Sequence, residues 1–149
     1  MIKILASFFY TGYLPLIPGT YGSFAGVFLF YLIKGNPLFC AVLFLLTTVT
    51  GFLVSGKAER IFNKKDCRYI VIDEVSGMLL SFIFVPFELK WIIAGFFIFR
   101  LLDTLKPFPA GRLQNLEGSF GVMIDDVIAG LYTNIILQVV LRLVSFNAS

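Results

Sequence analysis

The sequence predicts an all-α fold, an integral membrane bundle of helices. Three observations predict it. Hydrophobic residues make up 58% of the 149-residue chain and charged residues only 14%, against about a quarter charged in a soluble domain. The apolar residues collect in five stretches, and none shows the period-2 alternation of a barrel strand. Helices satisfy their own backbone in lipid, whereas open strands do not. With so little polar surface to face water, lipid is the solvent for much of the exterior.

Residues 7–20 intersperse Tyr, Pro and Gly and read as an interfacial or re-entrant approach. Residues 22–33 form the first apolar stretch and residues 91–102 the fourth. Both fall short of the roughly 20 residues of a straight span and reach it only with flanking residues or local bilayer thinning. Residues 37–54, 69–87 and 122–146 suffice by length, with Asp125 and Asp126 interrupting the last one early. The expectation is four to five spans plus the N-terminal segment. No repeat, low-complexity tract or linker divides them, so residues 1–149 read as a single domain. No cleavable leader is evident, because Lys3 stands alone and Pro15 and Pro18 interrupt any apolar core.

Charge placement orients the bundle. Residues 55–68 read as a loop carrying Lys57, Arg60, Lys64, Lys65 and Arg68, and the positive-inside rule makes that loop cytoplasmic. Threading five spans from it puts Lys3, Lys106 and Arg112 on the same side. Lys34, Lys90 and Arg142 fall opposite, a division of eight against three, with Arg100 inside the fourth span. The basic loop is a topology signal first and a candidate for holding anionic lipid second. A net charge of +3 with no basic, aromatic-interleaved stripe argues against nucleic acid. Cys40 and Cys67 form no CxxC or zinc spacing.

Five of the nine acidic residues sit within or beside apolar runs: Asp73, Glu74, Asp103, Asp125 and Asp126. Charges in hydrocarbon cost several kcal/mol each unless paired or bound to something. Asp73 and Glu74 open the third stretch, Asp103 closes the fourth and Asp125 and Asp126 begin the fifth, all on the cytoplasmic side. Arg142 falls roughly 24 Å beyond Asp126, at the far face. Carboxylates crowded at one depth need a cation, since like charges otherwise force protonation. Oxygen ligands with no His in the chain favour a hard ion such as Mg²⁺ over zinc. Arg100 lies three residues before Asp103, on one helical face, and Lys106 follows before Pro107 stops the helix. A guanidinium and an ammonium beside a metal suit the oxygens of a phosphoryl group. The bland alternative is ion pairing of the acids with Arg100, Lys106 and Arg112, which leaves a negative excess.

Gly77 and Gly130 stand four residues after Asp73 and Asp126, where they provide helix packing or room for a headgroup. The Gly19-Thr20-Tyr21-Gly22-Ser23 run begins the first stretch and reads as an N-cap or an anion-holding helix start.

Four ordered motifs carry a resemblance. They are Pro18-Gly19-Thr20-Tyr21-Gly22-Ser23, Ile72-Asp73-Glu74-Val75-Ser76-Gly77-Met78, a segment from Phe99-Arg100-Leu101-Leu102-Asp103 through Lys106-Pro107 to Ala110, and Gly121-Val122-Met123-Ile124-Asp125-Asp126 running to Gly130. Over about residues 10–135 the chain resembles the bacterial phosphatidylglycerophosphatase A family. The resemblance implies an all-helical, inner-membrane, Mg²⁺-dependent phosphatase that converts phosphatidylglycerophosphate to phosphatidylglycerol. Carried over by position, Asp73, Glu74, Asp103, Asp125 and Asp126 would be the metal and acid–base carboxylates. Arg100 and Lys106 would bind phosphate, and Thr20 and Ser23 would line the site. Leu102 departs from a position the family often gives to an aromatic, and Ser119-Phe120 breaks a glycine-rich stretch before Gly121.

The expected chemistry uses one or two Mg²⁺ ions, with Asp126 or Asp73 as general base, Asp103 in the catalytic set and Lys106 assisting the phosphate. An aspartyl-phosphate is the variant mechanism. Without His a phosphohistidine route is closed, no Arg follows either Cys by six positions, and neither DxDx[TV] nor DGxxAR appears. The rival from another class, an ion-coupled carrier using the acids as a relay, predicts mid-membrane acids and broken helices in matched halves. Neither is visible in the sequence.

Overall fold

A computed structural model describes residues 1–65, 67–113 and 115–147, the last of them for its backbone alone. Regular structure among the described residues is entirely helical. It comprises α1 (Ile2–Ala6), a 3₁₀ turn (Thr11–Tyr13), α2 (Pro18–Leu32), α3 (Pro37–Phe62), α4 (Ile72–Ser81), α5 (Leu89–Leu105), α6 (Ala110–Leu113) and α7 (Ser119–Asn147).

Two of these helices, α3 and α7, are long and apolar enough to cross a membrane. Only 28% and 22% of their most apolar windows are buried, whereas the core helix of a soluble protein would hide most of its surface. Leu38, Leu45 and Leu53 on α3 and Ile135, Val139 and Leu143 on α7 all face outward. Apolar faces of that extent belong against lipid. This is a membrane protein.

Helix α3 starts at Pro37, whose ring suits the first helical position. Asn36 Oδ1 accepts the amides of Leu38 and Phe39 at 3.1 and 3.2 Å, which caps the helix. Its other end corrects the expectation of a loop over residues 55–68. The helix runs on to Phe62 and stops at Asn63, left-handed at φ 51°. Lys57, Ala58, Glu59 and Arg60 are good helix formers, so the basic cluster begins on helical turns.

Helix α4 is the centre of the bundle, packed on α2, α3 and α7, with eight of its ten residues buried. Ten residues rise about 15 Å, half of a hydrocarbon core. The stretch 69–87, long enough by length to span, is therefore helical over Ile72–Ser81 alone. The chain turns after Ser81, with Phe84 left-handed at φ 60° and Pro86 unable to donate an amide. The abandoned carbonyls are met from α7. Asn134 Nδ2 donates to Ser81 O at 3.1 Å and Ile83 O at 2.8 Å, and Gln138 Nε2 to Ile83 O at 3.2 Å and Phe84 O at 3.1 Å. A helix can end inside apolar surroundings only when its backbone is satisfied this way.

Around the same end of α4 lies an aromatic core of Phe30, Phe82 and Phe99 with Met78, Leu79 and Leu137, all essentially buried. Phe30 and Phe82 stack at 4.6 Å between centroids. Lipid tails are as apolar as this core, so close fit rather than transfer from water stabilises it.

Candidate active site

The opposite end of α4 gathers the acids. Its first turn carries Asp73 and Glu74, where a helix N-terminus favours negative charge. Helix α7 brings Asp125 and Asp126 from its second turn, and the last turns of α5 bring Arg100 and Asp103. Lys106 caps α5 in a left-handed conformation at φ 45°, which turns the chain away at Pro107.

Two glycines bring α4 and α7 together. A Cβ on Gly77 would lie 2.5 Å from Asp126 O and 2.7 Å from the Phe99 ring, and one on Gly130 would run into the Gly77 carbonyl. These glycines are used as packing surfaces. Only small residues let the two backbones approach this closely, and that approach puts Asp73 beside Asp126.

The carboxylates divide into two sets. Arg100 Nη1 donates to Asp103 Oδ2 at 2.6 Å, the i to i+3 pair expected, and Lys106 pairs with Asp125. Arg112, the third base available for ion pairing, lies instead 5.2 Å over the Phe108 ring. Ion pairing therefore accounts for two of the five acids. The other three, Asp73, Glu74 and Asp126, form no ion pair among the described residues. Each offers an oxygen, and these oxygens lie within 4.8 Å of one another. Asp73 and Asp126 are 5% and 4% exposed. Asp73 Oδ1 accepts the Glu74 amide at 3.0 Å, but Glu74 Oε2 and Asp126 Oδ1 are buried with no hydrogen-bond partner among the described residues. The two sets adjoin, since Asp103, Glu74 and Asp125 are the charged neighbours of Asp126.

The Gly19 to Ser23 run lies within the first two turns of α2, whose N-cap is Ile17, so neither hydroxyl serves as a cap. Ser23 Oγ donates to Gly19 O at 3.1 Å and stands 3.5 Å from Arg100 Nη1. The Thr20 hydroxyl makes no hydrogen bond among the described residues. Gly19, which the sequence suggests only as part of an anion-holding helix start, lies directly against the charged cluster. A Cβ there would come 2.5 Å from Glu74 Oε1 and 3.5 Å from both terminal nitrogens of Arg100. A glycine in the first turn of a helix, where it lowers helix propensity, is the signal the sequence offers. Asn134 and Gln138, polar residues four apart on an apolar helix, are a second such signal.

Buried carboxylate oxygens left without donors or cations are costly. An oxygen-only group of three answers that cost by binding a hard cation, and the acidic cluster has the make-up to hold a metal ion. A guanidinium and an ammonium within the same cluster add the donors that phosphate oxygens require. A membrane-embedded helical bundle with this set belongs among enzymes acting on phosphate esters.

Comparison with known proteins agrees. The chain belongs to the phosphatidylglycerophosphatase A family, which matches residues 4–141. It is 36% identical over 132 residues to phosphatidylglycerophosphatase A of Escherichia coli, covering 86% of this chain and 76% of that one. It is 36% identical over 144 residues to phosphatidylglycerophosphatase A of Haemophilus influenzae, covering 91% and 86%. A Bacteroides thetaiotaomicron protein, provisionally described as a phosphatidylinositol-3-phosphatase, is 32% identical over 145 residues, 91% of each chain. No solved structure matches the chain.

Proposed function

We propose that this chain removes the terminal phosphate of phosphatidylglycerophosphate, giving phosphatidylglycerol and inorganic phosphate, with Asp73, Glu74 and Asp126 holding Mg²⁺. The phosphatase activity follows from the family. The observation that carries the site is the set of three carboxylates that ion pairing leaves over, those of buried Asp73 and Asp126 and half-buried Glu74, with oxygens on Glu74 and Asp126 that have no donor among the described residues. Oxygen donors and the absence of His from the chain favour a hard divalent ion. When bound, such an ion offsets charge on the phosphoryl oxygens.

The remaining work belongs to side chains. Arg100 and Lys106 bind the phosphate oxygens, and their pairing with Asp103 and Asp125 holds both bases at the rim of the carboxylate group before substrate arrives. Ser23 steadies the guanidinium, and Thr20 lines the approach. Asp126 or Asp73 takes the proton of the attacking water, with Asp103 and Asp125 completing the acidic set. The variant in which a carboxylate attacks phosphorus first is separated by the stereochemical course at an isotopically chiral phosphoryl group: inversion marks direct water attack and retention marks the covalent route.

Residues 1–149 act as one membrane domain of four to five spans with an interfacial N-terminal segment, in the bacterial inner membrane. The basic cluster at the end of α3 supports an active site facing the cytoplasm. The short buried α4 is the one feature that a carrier would share; family membership weighs against that reading.

The decisive assay measures phosphate release from phosphatidylglycerophosphate and from phosphatidylinositol-3-phosphate in mixed micelles, with Mg²⁺, with EDTA and with the Asp126→Asn variant. Release from phosphatidylglycerophosphate that EDTA and the variant both abolish is expected. Preference for the inositol lipid would transfer the substrate assignment. Ion uptake into vesicles without phosphate release would favour the carrier.

A further inference from the structure

A cleft of about 700 Å³ lies between the last turns of α3 and the segment leading into α7, and none of its lining residues belongs to the acidic cluster. We propose that it binds the phosphodiester headgroup of an anionic phospholipid, as a second lipid site. The volume lies within the usual range for a small-molecule site.

Charge favours an anion. Lys57, Arg60, Lys64 and Lys65 face Glu59 and Glu117 around the cleft, an excess of two positive charges among the described lining residues. Polarity favours a lipid over a free anion. Phe52 and Leu53 line the cleft at its end nearest the middle of α3, and the Phe52 ring meets that of Phe120 at 5.0 Å. Leu53 is 64% exposed and continues the apolar face of α3 formed by Leu46 and Val49. Arg60 lies about 12 Å further along the helix axis than Phe52. Moving out along α3, the surface changes from acyl-facing to phosphate-facing, as a phospholipid does. Basic pockets of this kind between membrane helices suit anionic headgroups.

The cleft is also braced. Gly56 N donates to Ser119 Oγ at 2.8 Å, and a Cβ on Gly56 would lie 2.9 Å from both Ser119 N and Oγ. Lys65 Nζ donates to Asn115 O at 3.1 Å. These contacts hold the two walls at a fixed separation without using Lys57, Arg60 or Lys64. The last three are exposed and available to a headgroup.

The test uses the full chain in phosphatidylcholine bilayers with a trace of spin-labelled phosphatidylglycerol or spin-labelled phosphatidylcholine. Electron spin resonance measures the motionally restricted fraction of each. The wild type is expected to restrict the anionic label several-fold more than the zwitterionic one. The double variant Lys57→Gln/Arg60→Gln should restrict the two labels about equally, while its phosphate release stays unchanged and attests its fold. Asp126→Asn should keep the preference, which separates this cleft from product held at the acidic cluster. A preference that survives in the double variant, or disappears in Asp126→Asn, overturns the proposal. Inorganic phosphate and chloride at matched ionic strength complete the test. Equal weakening by both supports the lipid site, and erasure by phosphate alone assigns the cleft to free phosphate and overturns it.

Discussion

Helix α4 is buried at both ends, and the two ends are finished in opposite ways. At its C-terminal end the backbone carbonyls of Ser81, Ile83 and Phe84 all receive amide donors from Asn134 and Gln138. The donors are neutral and fixed, and they come from the helix already packed alongside. At its N-terminal end Asp73 and Glu74 meet Asp126, and a buried oxygen on each of Glu74 and Asp126 has no donor among the described residues. The protein possesses the means to satisfy buried polar groups, since it does so about 15 Å away along the same helix. An acidic end left unsatisfied supports the proposed ligand site, because a structural end would have been closed like the other. One end builds the fold and the other end uses it.

If that division is right, changes at the acidic end should remove chemistry and leave the fold standing. The largest effect is expected from Asp126→Asn and from Glu74→Gln, each nearly isosteric. Phosphate release should fall by about 10³-fold or more, as when a group stabilising transition-state charge is deleted. Thermal stability in detergent, read by tryptophan fluorescence of Trp91, should hold or rise in the absence of metal, because one of several crowded like charges is gone. Substantial turnover in both variants would break the comparison at its acidic end.

Gly77 connects the two ends. Gly77→Val should push α4 from α7 against Asp126 O and the Phe99 ring, and both properties should suffer. Overpacking of this sort costs about 1–3 kcal/mol of stability. Displacing Asp73 from Asp126 by about an ångström should cost roughly 10²-fold in rate per folded molecule. An active, stable Gly77→Val protein would show that the close approach is unnecessary for the site. A smaller loss is expected from Arg100→Lys, which keeps the charge but loses the planar fork. A fall of about tenfold in kcat/KM, carried mainly by KM, fits a phosphate-binding role; a change in kcat alone would contradict it.

The acidic end was far more legible in the sequence than the closed end, and the reason is physical. Charges in an apolar chain are rare enough that Asp73, Glu74, Asp103, Asp125 and Asp126 stand out wherever they fall, and their order relative to the apolar runs fixes the end at which they meet. The spacing of Arg100 and Asp103 gives their pairing directly from helical geometry. Which three acids would remain after ion pairing was not legible. It depends on Lys106 turning back at a left-handed cap to reach Asp125 and on Arg112 stacking over Phe108, and these are tertiary facts. The length of α4 was hidden for a similar reason. Residues 78–87 are apolar apart from Ser81, and the one local helix breaker, Pro86, lies five residues beyond it. The stop is supplied by amides some fifty residues further along. Helix α3, conversely, overran its expected end because a basic cluster read as a loop consists of residues that favour helix.

The smallest effect, and the sharpest test of the closed end, is expected from Asn134→Leu. The substitution removes the donors to Ser81 O and Ile83 O and leaves Gln138 to serve Ile83 and Phe84. Ser81 O then has no replacement from the side chain of residue 134. An unsatisfied buried carbonyl costs about 1–3 kcal/mol in a water-soluble protein. Side-chain hydrogen bonds between membrane helices average nearer ~0.6 kcal/mol, so a loss of about 1 kcal/mol is the expected outcome. It should appear as a lower midpoint in denaturing detergent, with phosphate release per folded molecule unchanged because no atom of the acidic cluster is touched. Restoration by Asn134→Gln would be incomplete, since the longer side chain must find the same two carbonyls from a different reach. If Asn134→Leu instead lowered turnover as strongly as Arg100→Lys while leaving stability intact, the two ends of α4 would be acting as one unit, and the division of labour between them would be wrong.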